Sequence, residues 1–140
     1  MYDCSLDYFP DVNLVRAKLS LDGGYLNKAN LYLEMFHSVQ PDKSYDSPYN
    51  LEYLLLKGRL ELQIGNTNEA ISFLSKVVTL GENKDYYFDS EAALQLGTIY
   101  ENTNPDKALI YFKLSRDLYD SDYYEYIYEI SKKRIRDLNR

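Results

Sequence analysis

Residues that carry most enzyme chemistry are scarce in this chain. Its 140 residues include one cysteine, Cys4, one histidine, His37, and no tryptophan. A single cysteine excludes an intrachain disulfide and a cysteine cluster for a metal, and a single histidine leaves general acid–base chemistry short of its commonest group. We expect His37 to be a partly packed or capping residue, and we expect no catalytic residue, no metal site and no cofactor.

Long apolar runs are also missing. The longest are short pieces such as YLLL at 53–56, whereas a transmembrane helix needs about 20 apolar residues. The first ten residues, MYDCSLDYFP, lack the basic start and the apolar stretch of a signal peptide. These absences predict a soluble chain without a membrane span, cytoplasmic by default. Whether Met1 starts the native protein or a piece of a longer parent is left open.

Basic residues are outnumbered, with 16 lysines and arginines against 22 aspartates and glutamates. The net charge of −6 and the isoelectric point near 4.8 disfavour attraction to a phosphate backbone, so nucleic acid is not expected as a partner. The last nine residues nevertheless carry a net charge of +4. Basic residues near the end of a helix suit its dipole, and docking of this tail on an acidic surface is the alternative.

Three stretches of the chain resemble one another, which predicts an internal repeat. They start at residues 15, 56 and 94, and each consists of an apolar helix, a polar break and a second apolar helix. The first helix carries a small anchor residue, and the second carries an alanine 12, 12 and 11 residues later. The anchors are Ala17, Gly58 and Gly97 in the first helices and Ala29, Ala70 and Ala108 in the second helices.

Helical periodicity and capping signals predict an all-α fold. Ser47 before Pro48, and Asn104 before Pro105, each combine a helix N-cap with a first-turn proline. Gly65 supplies the permissive backbone that ends one helix before the next begins. No segment alternates polar and apolar residues long enough to predict a strand. The predicted helices span residues 11–22, 25–39, 48–64, 67–81, 87–102, 105–119 and 122–138.

The anchors resemble those of the tetratricopeptide repeat, a family of 34-residue helix-turn-helix units that stack into a right-handed superhelix. The resemblance implies one domain, 1–140, with hairpins at about 10–43, 51–84 and 90–121 and a C-terminal capping helix at 122–138. The turn of the third unit is one residue short, and seven and five residues are inserted between the units. The tyrosine-rich style, with 16 tyrosines, is similar to repeat proteins of Bacteroidetes-type bacteria.

If the family arrangement holds, the first helix of each unit lines a concave groove that binds a protein or a peptide. Its inward positions form an aliphatic row between acidic and basic rows, which suits a short peptide or an amphipathic helix. The alternative is that the leucines are half-buried between helices or covered by the final helix. The predicted groove residues are Asp11, Leu14, Lys18, Leu21, Glu52, Leu55, Arg59, Leu62, Glu91, Leu94, Thr98 and Glu101.

The resemblance therefore implies a non-enzymatic binding module, either an adaptor or scaffold or the C-terminal part of a longer repeat protein. Two alternatives stay open: a sensory or regulatory domain of a transcription or signalling protein, and an accessory subunit of an enzyme. Relatives that clamp the C-terminal carboxylate of chaperones use lysine and asparagine in the groove. Here only Lys18 has a suitable charge and Glu91 would repel the carboxylate, so binding of that kind is not expected.

Overall fold

The structure is a computed structural model that describes residues 10–39, 47–81, 87–118 and 125–139, with side chains from residue 129 onward in the last segment. Within these ranges the chain forms seven α-helices and no β-strand, which confirms the predicted all-α class. The helices are α1 (Val12–Asp22), α2 (Leu26–Ser38), α3 (Pro48–Ile64), α4 (Thr67–Gly81), α5 (Phe88–Tyr100), α6 (Pro105–Asp117) and α7 (Glu125–Leu138). The predicted helix ends at residues 119 and 122–124 lie outside the described ranges.

Helix ends follow the capping residues identified in the sequence. The Ser47 hydroxyl accepts a hydrogen bond from the Asn50 amide at the start of α3. The Asn104 side-chain oxygen accepts one from the Lys107 amide at the start of α6. Gly65 ends α3 with φ of 105°, in the left-handed region that glycine enters without a steric penalty. The polar breaks are therefore helix stops and restarts, as predicted.

The chain divides into two compact units, Tyr2–Phe73 and Leu74–Arg140. In the N-terminal unit, α1 and α2 form a hairpin, and α3 packs against both of these helices. The residues that α3 contributes to this packing are spaced by 4, 3 and 4 positions, which keeps them on one face of the helix. They are Tyr49, Tyr53, Leu56 and Leu60. The core that they complete consists of Leu14, Ala17, Leu21, Ala29, Leu33 and Phe36.

In the C-terminal unit, α5 and α6 form a tight pair, and α7 packs on α6 and, to a smaller extent, on α5. A Cβ atom added to Gly97 would lie 2.5 Å from the Phe112 ring, so the α5 backbone approaches this ring at a distance that only glycine permits. Ala108 and Phe112 are both fully buried. Gly97 therefore lies where α5 and α6 approach closely, and Ala108 belongs to the same buried cluster as Phe112.

Three buried serines join the helices of the C-terminal unit. The Ser115 hydroxyl donates to the Ser90 carbonyl at 2.7 Å, and the Ser90 hydroxyl donates to the Ser115 carbonyl at 2.9 Å. Ser131 of α7 donates to the Ser115 hydroxyl at 3.1 Å. Because small side chains allow close approach and each hydroxyl has a partner, this polar contact fits a buried three-helix junction.

All six small anchors of the repeats are buried in the structure. Burial of small residues accompanies close helix packing in many all-α folds, so it does not distinguish stacked repeats from other arrangements. The superhelical stacking and the single domain of the sequence analysis therefore stay predictions.

Candidate functional site

The aliphatic row of the predicted groove lies in the hydrophobic core. Leu14, Leu21 and Leu55 are at most 2% exposed, and Leu94 is 8% exposed. Leu62 is half-buried. A buried side chain offers no area to a ligand, so the burial favours the alternative that these leucines pack between helices. Binding of a peptide at the remaining, polar groove positions stays a prediction.

The acidic row has local structural roles where its contacts are defined. Asp11 is the N-cap of α1, where its side chain accepts hydrogen bonds from the Asn13 and Leu14 amides. Glu52 is only 3% exposed. Glu91 is half-buried. Among the three, Asp11 and Glu52 are therefore held within the fold of the N-terminal unit.

The basic positions of the N-terminal unit are both engaged with Asp22 at the end of α1. Arg59 of α3 donates to the Asp22 carboxylate at 2.8 Å, and Lys18 donates at 3.3 Å from one helical turn away. Partial burial raises the pKa of Asp22, but the Arg59 hydrogen bond and the charges of Lys18 and Arg59 outweigh it, and the net pKa is lowered. This network ties α3 to α1.

The last two groove positions, in the C-terminal unit, also have partners. The Thr98 hydroxyl donates to the Leu94 carbonyl at 3.0 Å, within the same helix. Glu101 forms an ion pair with Arg134 of α7. Leu94 packs in one cluster with Ile135, also of α7. The final helix therefore covers the predicted groove positions Leu94 and Glu101, as the alternative in the sequence analysis supposed.

A different surface of the N-terminal unit is exposed and apolar. Three residues of α1, two residues of α2 and Val39 just beyond its end keep between 40% and 68% of their surface accessible. Each set follows a helical spacing, i, i+3, i+7 on α1 and i, i+4, i+8 on α2, so each forms a stripe. We call these six residues the hairpin face: Val12, Val15, Leu19, Leu31, Met35 and Val39.

Contacts between α1 and α2 place the two stripes on the same side of the hairpin. The Arg16 guanidinium lies 5.8 Å from the centre of the Tyr32 ring, and thus joins α1 to α2. At about 100° per residue, Arg16 borders the stripe of Val12 and Leu19, and Tyr32 borders Val39. The opposite side of α1 carries Leu14, Ala17 and Leu21, which belong to one buried cluster with Leu56 and Leu60 of α3. The hairpin face therefore points away from α3.

Two cations lie beside the hairpin face, Arg16 next to the stripe of α1 and Lys28 three residues before Leu31 on α2. Arg16 covers Tyr32, and Lys28 lies 5.5 Å from the ring centre of Tyr25, which is 62% exposed. Within the described ranges neither cation has a carboxylate partner, in contrast to Lys18 and Arg59. The face therefore combines aliphatic side chains, two tyrosine rings and two positive charges that lack counter-ions.

Sequence reasoning missed this surface although its signal was present. The α1 sequence VNLVRAKLSLD has apolar residues on two opposite arcs, Leu14, Ala17 and Leu21 on one and Val12 with Leu19 on the other. Only the first arc was assigned a role, because the family resemblance directed attention to the inward positions. A helix with a second apolar arc has a second surface available for packing.

Elsewhere in the described ranges, side chains that could bind a metal or take part in catalysis are few. No three metal-ligating side chains come together there. None of the helices there has the length and apolar character required to cross a membrane. His37 is exposed, and its ring stacks on the Tyr53 ring with the two ring centres 5.4 Å apart. The pKa of Tyr53 is raised, mainly because the ring is partly buried and also because the Glu34 charge lies nearby. Cys4 lies outside the described residues.

Comparison of the chain with protein-family models, with curated proteins and with solved structures finds no match.

Proposed function

We propose that this protein is a non-enzymatic, tetratricopeptide-like binding module that recognises another protein through the hairpin face. The observation that carries the proposal is the exposure of six aliphatic or thioether side chains on one side of α1 and α2. Contiguous apolar surface of this kind on a folded domain marks an interaction site. The small anchors of the three repeats support the tetratricopeptide-like architecture.

The energetics favour a protein partner. Burying a fully exposed leucine or valine side chain contributes roughly 1.5–3 kcal/mol, so covering six half-exposed side chains supplies several kcal/mol toward an association cost of at least ~4 kcal/mol. Tyr25, Tyr32 and Arg16 add the residue types that most often dominate protein interfaces. The face thus has an apolar centre and anchors suited to specific recognition.

The proposal is tested by capturing partners from the native organism with the wild-type chain and with two variants. Leu19→Asp combined with Met35→Asp places two charges on the hairpin face. Ile110→Asp is the matched control, because Ile110 of α6 is 64% exposed and Leu19 is 63% exposed. We expect a partner that the wild type and the control retain and that the double variant loses.

Circular dichroism melting curves establish that all three proteins are folded, which is expected because the substituted side chains are exposed. Partners that the double variant retains as well as the control would overturn the proposed function. Leu55→Asp is unsuitable for this purpose, since Leu55 is 2% exposed and its substitution would unfold the core.

A further inference from the structure

We infer that the partner bound by the hairpin face is an acidic amphipathic helix. This inference depends on the proposed function and specifies the chemistry of the partner at the same surface. Both parts of the description, helical shape and negative charge, come from contacts in the N-terminal unit.

The helical shape of the partner is inferred from α3, the helix that already covers the other side of the hairpin. There α3 lies against both α1 and α2 and contributes Tyr49, Tyr53, Leu56 and Leu60. A helix whose apolar residues have this 4, 3, 4 spacing fills the space along a pair of helices. The hairpin face is formed by the same two helices, so a second helix with similar spacing is the natural complement.

The negative charge of the partner is inferred from which charged side chains of the hairpin already have ionic partners. The carboxylates of α1 have partners, Asp11 in its cap and Asp22 with Arg59. Glu34 of α2 accepts a hydrogen bond from the uncharged amide of Asn30, and it lies near Tyr53 of α3, whose pKa its charge raises. Arg16 and Lys28 are the charged groups beside the hairpin face, and within the described ranges no salt bridge neutralises them. Glutamate or aspartate beside the apolar stripe of a partner would complete both pairs.

An anionic membrane is a weaker match to the same face. Recognition of acidic lipid by electrostatics typically uses clusters of about four to eight basic residues, whereas the hairpin face has two. The chain as a whole carries a net charge of −6, which opposes approach to an anionic surface. A short helix with its own apolar stripe needs only local complementarity.

The test uses the full chain and two synthetic helical peptides. Both carry leucine at the 4, 3, 4 spacing of α3, and they differ only in flanking residues, glutamate in one and lysine in the other. Binding is measured by fluorescence anisotropy at physiological salt. We expect the acidic peptide to bind about tenfold more tightly than the basic one, a difference that two partly exposed ion pairs supply.

Charge reversal on the hairpin face provides the decisive comparison. Arg16→Glu with Lys28→Glu is expected to reverse the preference toward the basic peptide. Lys133→Glu with Arg136→Glu is the control, because these exposed residues of α7 give the same change in net charge outside the hairpin. This control should keep the preference for the acidic peptide.

Several results would overturn the inference. These are binding of neither peptide, equal or tighter binding of the basic peptide, and binding of the acidic peptide only after removal of residues 1–9. Binding to phosphatidylserine vesicles, or self-association that Leu19→Asp abolishes, would also overturn it. In each of these cases the proposed function is still supported if the Leu19→Asp and Met35→Asp double variant loses a natural partner. The proposed function and the inference about the partner's chemistry can therefore be rejected separately.

Discussion

At Gly97 the fold leaves no room for an additional carbon atom. A Cβ atom there would lie 2.5–3.0 Å from three atoms of the Phe112 ring, whereas van der Waals contact begins near 3.4 Å. We expect Gly97→Ala to destabilise the chain by about 1–3 kcal/mol, because overpacking exceeds the roughly 1 kcal/mol gain in helix propensity.

Urea denaturation measures the effect of Gly97→Ala directly. In a Phe112→Leu background the same alanine should cost less, because the flat ring that it strikes is absent. A Gly97→Ala protein as stable as the wild type would contradict the close approach of α5 to Phe112.

Asp22 gives the fold a predictable response to acid. Its folded-state pKa lies below the ordinary value of 3.8, so its network with Arg59 and Lys18 stabilises the chain above that pH. The contribution is lost as the pH falls through the lowered folded pKa. The Asp22 side chain is 45% exposed, so we expect Asp22→Asn to cost less than about 1 kcal/mol at pH 7.

The measurement compares urea midpoints of the wild type and Asp22→Asn across acid pH. The difference between them should be constant down to about pH 5 and should shrink as the pH falls past 3.8. It should close once the pH lies below the lowered folded-state pKa, where the aspartate is neutral in both states. A difference that persists unchanged to the lowest pH at which both proteins still fold would contradict the ionic role.

At the scale of the helices, α7 contains two isoleucines that differ in burial and can be compared directly. Ile135 is 8% exposed and packs with Leu94, Ala108 and Phe112, whereas Ile130 is 39% exposed. We expect Ile135→Asp to destabilise the chain by at least about 3 kcal/mol, because it buries a charge without a partner, and Ile130→Asp to change stability by less than about 1 kcal/mol. Thermal melts of the two variants check this, and equal melting temperatures would show that α7 does not cap α5 and α6.

The helices themselves were largely predictable from the sequence because their signals are local. Two helix starts are indicated by an N-cap residue followed by proline, at Ser47 with Pro48 and at Asn104 with Pro105. One helix end is indicated by Gly65. Apart from the predicted start of the last helix at residue 122, which lies outside the described ranges, helix ends lie within two residues of the predicted ones. Periodicity identified the helices but not their buried sides, since Leu14, Leu21 and Leu55 were predicted to line the groove and instead lie in the core.

The candidate site was less predictable, because the use of an apolar residue depends on what packs against it. Leu55 and Leu94 have the same spacing in sequence as groove residues of the family, yet both are buried. Leu94 meets Ile135, which lies 41 residues later in the chain and could not be assigned to it by local pattern. Conversely, Val12 and Leu19 are exposed because no described element covers that side of α1.

At the scale of the whole molecule, the described structure is an all-helical chain in two compact units. In the C-terminal unit, hydrogen bonds between buried serines join α5, α6 and α7. The N-terminal unit instead leaves one side of its hairpin apolar and exposed. This difference between the units is why we place the binding function on α1 and α2 rather than on α7.

Site-specific photo-cross-linking in the native organism tests this placement most directly. A photoreactive benzoylphenylalanine replaces Leu19 in one protein and Ile110 in another, two positions of nearly equal exposure at 63% and 64%. We expect a covalent adduct with a discrete protein partner at position 19 and none at position 110. Adducts at neither position, or the same adducts at both, would contradict the claim that the hairpin face is the binding surface.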